Sequence, residues 1–452
     1  MATSGSSGVD PRWTALASLL RAGPRSAKEL VEALAISQPT LSRTIQSHPD
    51  GLTSFRILGL RTPQYALLRT PHPTLRPRQT VYRILSNGAI EPFADIEFLA
   101  GGGTLERTTR ETVRYDGLPP YMVFSSPTGF LGRQVARNAA AALHLPESLQ
   151  DWSDDHRIAY LFSRGVNLSG NLIYGEASLQ REMDFRNAPS VSSAEKRQHY
   201  VAMATELRDA TYGSSAGGEQ PKFLSLVEDS GHVIVKFAKA GSRMASLLPL
   251  EHAALRTLEH IGVPAAKTQV FSAGDHVFLE VQRFDRLGRH GRVGMLSCGA
   301  IDDEYFGSRD TWSEFAARCE KAGYLTRDEA HHLNVLAAFS ELIGNTDRHF
   351  ENISMLLAEN GDFAGLAPAY DILPMRYASI GGGVDPALHP ITPRVGAIGA
   401  KPAVWQRAAQ AAHLFWQSVQ QDAVGFPVSA EFRELAHRNL AAVQTFVAPL
   451  LP

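Results

Sequence analysis

Apolar residues at the start of the chain recur at helical spacing. "WTALASLLRAG" places Leu16, Leu19 and Leu20 on one face and stops at Gly23-Pro24, where a proline cannot continue the helix. Ser26 opens "AKELVEAL" with Glu29 three residues on, the pattern of a capping box. After the break "AIS" comes "QPTLSRTIQSH", with Ser37 as N-cap and Pro39 in the first turn. "GLTSFRILGLRTPQYALLR" then alternates as a hairpin does. "TPHPTLRPRQ" (70–79) is rich in proline and basic residues and reads as a linker.

Beyond it, "VYRIL", "ADIEFLA" and "ETVRYDG" have strand character around Gly101-Gly102-Gly103, predicting a small β-rich subdomain. "GRQVARNAAAALHL" and "DDHRIAYLFSRG" predict helices, with Asp154 and Asp155 as first-turn acids, and "GNLIYG" predicts a strand. Further on, "KFLSLV" and "GHVIVKFA" read as strands and "PLEHAALRTLEHIG" as a helix. "HVFLEVQRFDR" is a strand running into Arg283-Phe284-Asp285-Arg286, and the last third is mostly helical.

Composition narrows the class. A chain of 452 residues predicts two or three domains. Its 44% hydrophobic and 20% charged residues are those of a globular protein. No run is long and apolar enough to span a membrane, and "MATSGSSGVD" lacks the features of a secretory signal. The two cysteines, Cys298 and Cys319, have no metal-like spacing, so a reduced, cytoplasmic setting is expected. Net charge is −2 but unevenly spread. Residues 1–70 hold eight Lys/Arg against four acids, leaving 36 against 42 in the remainder.

A basic head on an acidic body points the head at a polyanion. Two short helices with a tight break, the second carrying Gln38, Thr40, Ser42 and Arg43, form a helix-turn-helix pattern suited to base edges and phosphates. Arg56 and Arg61 near the hairpin tip make it a wing. A small helical protein-interaction domain is the plainer alternative.

Chemistry concentrates in three stretches. "YGSSAGGEQPKFLSL" holds Gly213, Gly217 and Gly218, which let backbone N–H groups approach anionic oxygens, with hydroxyls at Ser214 and Ser215. A glycine-rich loop between strands, followed by the strand lysine Lys236, is how a kinase-like fold covers nucleotide phosphates. Glu251, early on the next helix, supplies a carboxylate to orient that lysine, although a first-turn acid reads as well. "LIGNTDRHFENISML" packs polar groups between apolar flanks, with Asn352 five residues after Asp347, the base-to-asparagine spacing of a kinase catalytic loop. His349 reads more simply as a satisfied core histidine. "FAGLAPAYDILP" then offers Asp371 as a further metal ligand. The order of these parts is the order a kinase fold requires.

These residues resemble the HipA-type kinase toxins, through "SAGGEQPK", "VKF", "RFDR", "LIGNTDRHFENISML" and "AYDILP". The likeness spans roughly residues 80–440, and the helix-turn-helix head makes the YjjJ-like subset the most similar. It implies an α+β architecture: a winged helix-turn-helix domain (1–70), a linker (71–79), a β-rich subdomain (80–125), a kinase N-lobe-like region (126–285) and a helical C-lobe (286–452). It implies a serine/threonine protein kinase using ATP and Mg²⁺, with growth arrest as its output. Lys236 would contact phosphates, Asp347 would be the base, and Asn352 and Asp371 would hold Mg²⁺. Ser215, Ala216, Gly217, Gly218 and Lys222 fall on the phosphate loop, with Ser215 at the position of an autophosphorylated serine. Family targets include aminoacyl-tRNA synthetases, and the usual member has a HipB-like antitoxin partner. A DNA-binding regulator with a nucleotide-sensing or silent body is the alternative. A metal-dependent nuclease built on Asp347, His349, Asn352 and Asp371 is a lesser one.

Overall fold

The computed structural model describes residues 10–56, 62–211, 220–380 and 383–451. The head runs α1 (Pro11–Arg21), β1 (Arg25–Ser26), α2 (Ala27–Leu34), α3 (Gln38–Gln46), β2 (Leu52–Phe55) and β3 (Gln64–Leu67). Ser26 and Glu29 complete the capping box of α2, and Ala35 turns the chain in the left-handed region (φ 53°) towards Ser37. Leu16, Leu20, Leu30, Leu41 and Leu52 form its core. The strand β1, absent from the sequence reading because two residues carry no periodicity, joins the hairpin in the order β1-β3-β2.

The middle unit is a five-stranded antiparallel sheet ordered β7-β6-β5-β4-β8. Its strands are β4 (Arg78–Ile84), β5 (Ile90–Phe98), β6 (Thr104–Arg107) and β7 (Thr112–Tyr115), closed by β8 (Leu172–Tyr174). Helices α4 (Pro120–Ser125), α5 (Gly129–Leu143), α6 (Asp154–Arg164) and α7 (Gly175–Asn187) accompany it. One core unites Val81, Phe98, Met122, Ala136, Phe162 and Tyr174, so the boundary expected at 125 falls inside a single packed body. The stretch 70–79 is packed as well. Leu75 is buried in that core and the His72 ring bonds the Leu143 carbonyl (2.9 Å). Head and middle unit share a cluster of Phe55, Ala66, Leu68, Leu99 and Leu105. Arg69 clamps Asp155 through both terminal nitrogens (2.8 and 2.7 Å), fixing the head to the first turn of α6.

Next comes α8 (Lys196–Thr211), then the antiparallel sheet β11-β12-β10-β9 built from β9 (Lys222–Val227), β10 (Gly231–Lys239), β11 (Thr268–Ala273) and β12 (His276–Gln282), with α9 (Arg243–His260) between β10 and β11. The glycine-rich stretch therefore follows a helix, not a strand; the polar, weakly amphipathic sequence of α8 hid it. Helix α9 starts six residues before Pro249, which sits inside it. Proline usually opens a helix, but Ser242 caps this one earlier (Ser242 Oγ accepts from Ala245 N–H, 3.3 Å). A short hairpin, β13 (Arg286–Leu287) and β14 (Gly291–Arg292), leads into the last unit.

That unit holds the sheet β15-β16-β17, formed by β15 (Gly294–Ser297), β16 (Ser354–Leu357) and β17 (Phe363–Leu366). Around it lie α10 (Cys298–Tyr305), α11 (Trp312–Ala322), α12 (Arg327–Ile343), α13 (Pro402–Gln420) and α14 (Ala430–Val447). The largest core cluster packs α9 against α11–α14 through residues such as Leu250, Phe315, Phe339, Trp405 and Phe415. Helix α9 thus ties the four-stranded sheet to the helical lobe.

Candidate active site

Strand register brings the lysines together. In the β9–β10 ladder Lys236 lies directly opposite Lys222, so both side chains leave the same face of the sheet. Glu251 is the ninth residue of α9, not a first-turn acid, and is 1% exposed. Lys236 Nζ donates to both its carboxylate oxygens (2.7 and 2.8 Å) and pairs with Asp371 Oδ1. Burial alone would lower the Lys236 pKa, but Asp371 and Glu251 together raise it, so the ammonium stays charged. Burial also pushes Glu251 up against the pull of Lys236.

Asp371 is held in the left-handed region (φ 59°), which aspartate tolerates better than most residues. Before it, Ala369 exchanges hydrogen bonds with the chain after α9 (Ala266 N–H to its carbonyl, 2.9 Å; its N–H to Pro264 O, 2.8 Å). Tyr370 OH donates to Glu351 O (2.8 Å) and bonds Ser354 Oγ (2.7 Å). Burial opposes ionisation of Asp371, yet Lys236 and Lys222 hold its pKa near 2. This carboxylate therefore stabilises the fold above the usual 3.8, and that contribution is lost as pH falls towards 2.

The catalytic-loop candidate leaves α12 through Gly344 (φ 78°), which caps the helix in the left-handed region. Buried Asn345 accepts from the Asp347 N–H at its Oδ1 (3.0 Å), bending the chain at once. Asn352 Nδ2 donates to the Asp347 carbonyl (2.9 Å) and, more weakly, to its Oδ2 (3.4 Å). The five-residue spacing thus closes a loop on itself.

His349 is half exposed and bridges two carboxylates, with Nε2 at 3.4 Å from Asp347 Oδ1 and Nδ1 at 3.2 Å from Glu351 Oε2. It is no core histidine. Its hydrogen bonds to Asp347 and Glu351 raise its pKa to about 10, while it lowers that of Asp347. Arg309 completes the chain, pairing with Glu351 (2.5 Å) and Asp303 (2.6 Å). Only the alternation of basic and acidic residues in "DRHFE" hinted at this relay; Arg309, 38 residues upstream of Asp347, carried no signal.

An imidazole raised from 6.5 to about 10 contributes stability fully below 6.5, lost as pH rises through 10. The stability difference between the protein and its His349→Gln variant should therefore shrink across that alkaline window. Parallel denaturation curves at several pH values measure it, and a constant gap would contradict the relay.

The structure brings Lys236, Lys222, Glu251, Asp371, Asp347 and Asn352 into one neighbourhood, where the charge of Asp371 is felt by both Asp347 and His349. Ser215, Ala216, Gly217, Gly218 and Arg61 lie outside the described residues. "RFDR" is elsewhere: buried Asp285 accepts from Arg283 (3.0 and 2.8 Å), Arg286 (2.7 Å) and Gly170 N–H (2.8 Å), joining the four-stranded sheet to the middle unit. Gln38, Ser42, Arg43 and Arg56 are exposed on the head, with Thr40 half-buried. No helix among the described residues is long and apolar enough to cross a membrane.

Comparison with known proteins agrees with this layout. Residues 75–183 match the model of the YjjJ-like toxin middle domain, and residues 214–442 that of the HipA-like C-terminal domain. The fold is similar to HipA in the Shewanella oneidensis MR-1 complex of HipA, HipB and operator DNA, with TM-score 0.51 and 14% identity over 81% of this chain and 97% of that one. The Helicobacter pylori proinflammatory kinase CtkA also matches, at TM-score 0.36 and 13% identity over 52% of this chain and 91% of that one, too distant to bear on the fold. Toxin YjjJ of Escherichia coli (strain K12) is 34% identical over 93% of this chain and 95% of its own length. With its YjjJ-like middle domain, its HipA-like C-terminal domain and that identity along nearly the whole chain, the protein belongs to the YjjJ-like toxin family.

Proposed function

We propose that the chain is a serine/threonine protein kinase that uses ATP and Mg²⁺ and carries a DNA-binding head. The observation that carries this reading is the double contact of Lys236 with Glu251 and Asp371 beside the Asp347–Asn352 loop. Neither a silent body nor a nuclease has a use for a buried lysine held by a helix glutamate. Lys236 and Lys222 take the nucleotide phosphates. Asp347, kept ionised by His349, orients the acceptor hydroxyl and receives its proton. Mg²⁺ prefers hard oxygen ligands, and Asp371 and Asn352 Oδ1 would hold it, where it would supply charge neutralisation to the transferred phosphoryl group.

Ser215 is the autophosphorylation site in this reading. A phosphate there would place nearly two negative charges where those of ATP belong. Incubating the full chain with labelled ATP and Mg²⁺, followed by mass spectrometry, should find the phosphate on Ser215 and none in Ser215→Ala. A phosphate elsewhere, or none, would contradict it.

In this reading the head is a winged helix-turn-helix domain, with α3 as recognition helix and the β2–β3 hairpin as wing; its element order supports this. The head packs on the middle unit through a shared apolar cluster. Arg43→Ala should weaken duplex binding about tenfold and reduce the slope of log affinity against log salt by about one. An unaltered slope in a fluorescence-anisotropy titration would sink the recognition-helix assignment. HipB accompanies HipA in the Shewanella complex, which supports a HipB-like antitoxin as partner, and an aminoacyl-tRNA synthetase is the first protein substrate to try.

A further inference from the structure

Helix α7 meets β10 and the β13–β14 hairpin across a small cavity. Glu182 and Arg186 of α7, His232 of β10, and Arg289, His290 and Arg292 of the hairpin line it. The void is about 250 Å³ with its mouth, and its enclosed end has room for one oxygen, with the rest of a ligand at the opening. His232 lies four residues along β10 from Lys236, roughly 13 Å at strand rise, so the cavity is separate from the candidate active site.

Charge here is unbalanced. Three arginines face one carboxylate, and both oxygens of Glu182 are already used, Oε1 by Arg292 Nη2 and Oε2 by the Asn167 N–H (3.0 Å). Arg292 is only 4% exposed, yet its Nη1 has no hydrogen-bond partner among the described residues. His232, 6% exposed, bonds the Arg289 carbonyl through Nε2 (3.0 Å), so Nε2 carries the proton. Its Nδ1 is also without a partner. Burial, reinforced by Arg286, Arg283 and Arg292, lowers this imidazole to about 4, so at neutral pH Nδ1 is an acceptor.

A buried guanidinium N–H without an acceptor is costly. Surplus positive charge favours an anion there over water, and the neighbouring acceptor nitrogen favours an oxyanion that keeps a proton. We propose that this cavity is a binding site for hydrogen phosphate, whose hydroxyl oxygen, the one atom that enters, accepts from Arg292 Nη1 and donates its proton to His232 Nδ1. Arg289 and His290, exposed at the mouth, flank the remaining oxygens. Sulfate and the dianion of a phosphomonoester have no proton to offer Nδ1, so free phosphate is preferred to both. Since the walls come from the middle unit and the sheet of the lysines, the bound anion cross-links the two and raises the melting temperature by mass action.

Calorimetric titration of the full chain at fixed ionic strength tests this with three probes: inorganic phosphate, sulfate and glycerol phosphate. Phosphate should bind most tightly and raise the melting temperature. Arg289→Ala, a change at the exposed mouth, should weaken that binding about tenfold, and Arg292→Gln should abolish it. If Arg292→Gln does not fold, the Arg289 variant decides alone. Absence of phosphate binding, sulfate binding as tightly as phosphate, or affinity unchanged in Arg289→Ala would each overturn the proposal.

Discussion

Replacing Asp347 by alanine should lower phosphate transfer from ATP by about 10²–10⁴-fold, the range a positioned acid or base contributes, and leave the melting temperature nearly unchanged. The carboxylate is about half exposed, so its pairing with His349 counts for little in stability. Its chemical role is larger. The Asn352 amide and the His349 ring fix its position and ionisation from two sides, and alanine has nothing to offer a substrate hydroxyl. DNA binding by the head should be intact. Equal transfer by the variant would remove Asp347 from the mechanism, whereas loss of both activities together would show a folding defect.

Lys236→Met should cost about 3–5 kcal/mol of stability as well as nucleotide binding. The substitution strands the Glu251 carboxylate, 1% exposed, without its cation. An uncompensated buried charge is among the most destabilising single changes. Lowering the pH should relieve part of the loss, because Glu251, whose pKa burial already raises, then protonates. Removing both partners separates structure from function. Lys236→Met combined with Glu251→Leu should recover most of the stability, since an apolar pair can replace a buried ion pair, but not the nucleotide affinity. Chemical denaturation and nucleotide titration of the three proteins check this. If the double variant bound nucleotide normally, Lys236 would have no part in the site.

The local chemistry of the site was legible because each part has its own short-range signature. Lys236 stands on an alternating strand, Asn352 lies five residues from Asp347, and Asp371 follows a strand-like run. In the head, Ser26 and Glu29 announced their own capping box. What stayed hidden depends on packing between distant segments. Pro249 masked the first turns of α9, and with them the mid-helix place of Glu251. β8 closes a sheet whose other strands end 57 residues earlier, so the division at 125 cut through one core. The proline-rich stretch at 70–79 looked free until Leu75 and His72 met the helices they pack on. Arg309 was unreadable for the same reason, since its long-range pair with Glu351 has no sequence period, while only the charge alternation around His349 hinted at the rest of the relay.

A crystal of the full chain grown with Mg²⁺ and a non-hydrolysable ATP analogue examines the central claim most directly. The triphosphate should lie against the Lys236 ammonium, with magnesium bound by Asp371 and Asn352 and the γ-phosphate facing Asp347. Nucleotide density elsewhere, with the Lys236–Asp371 pair unchanged, would contradict it.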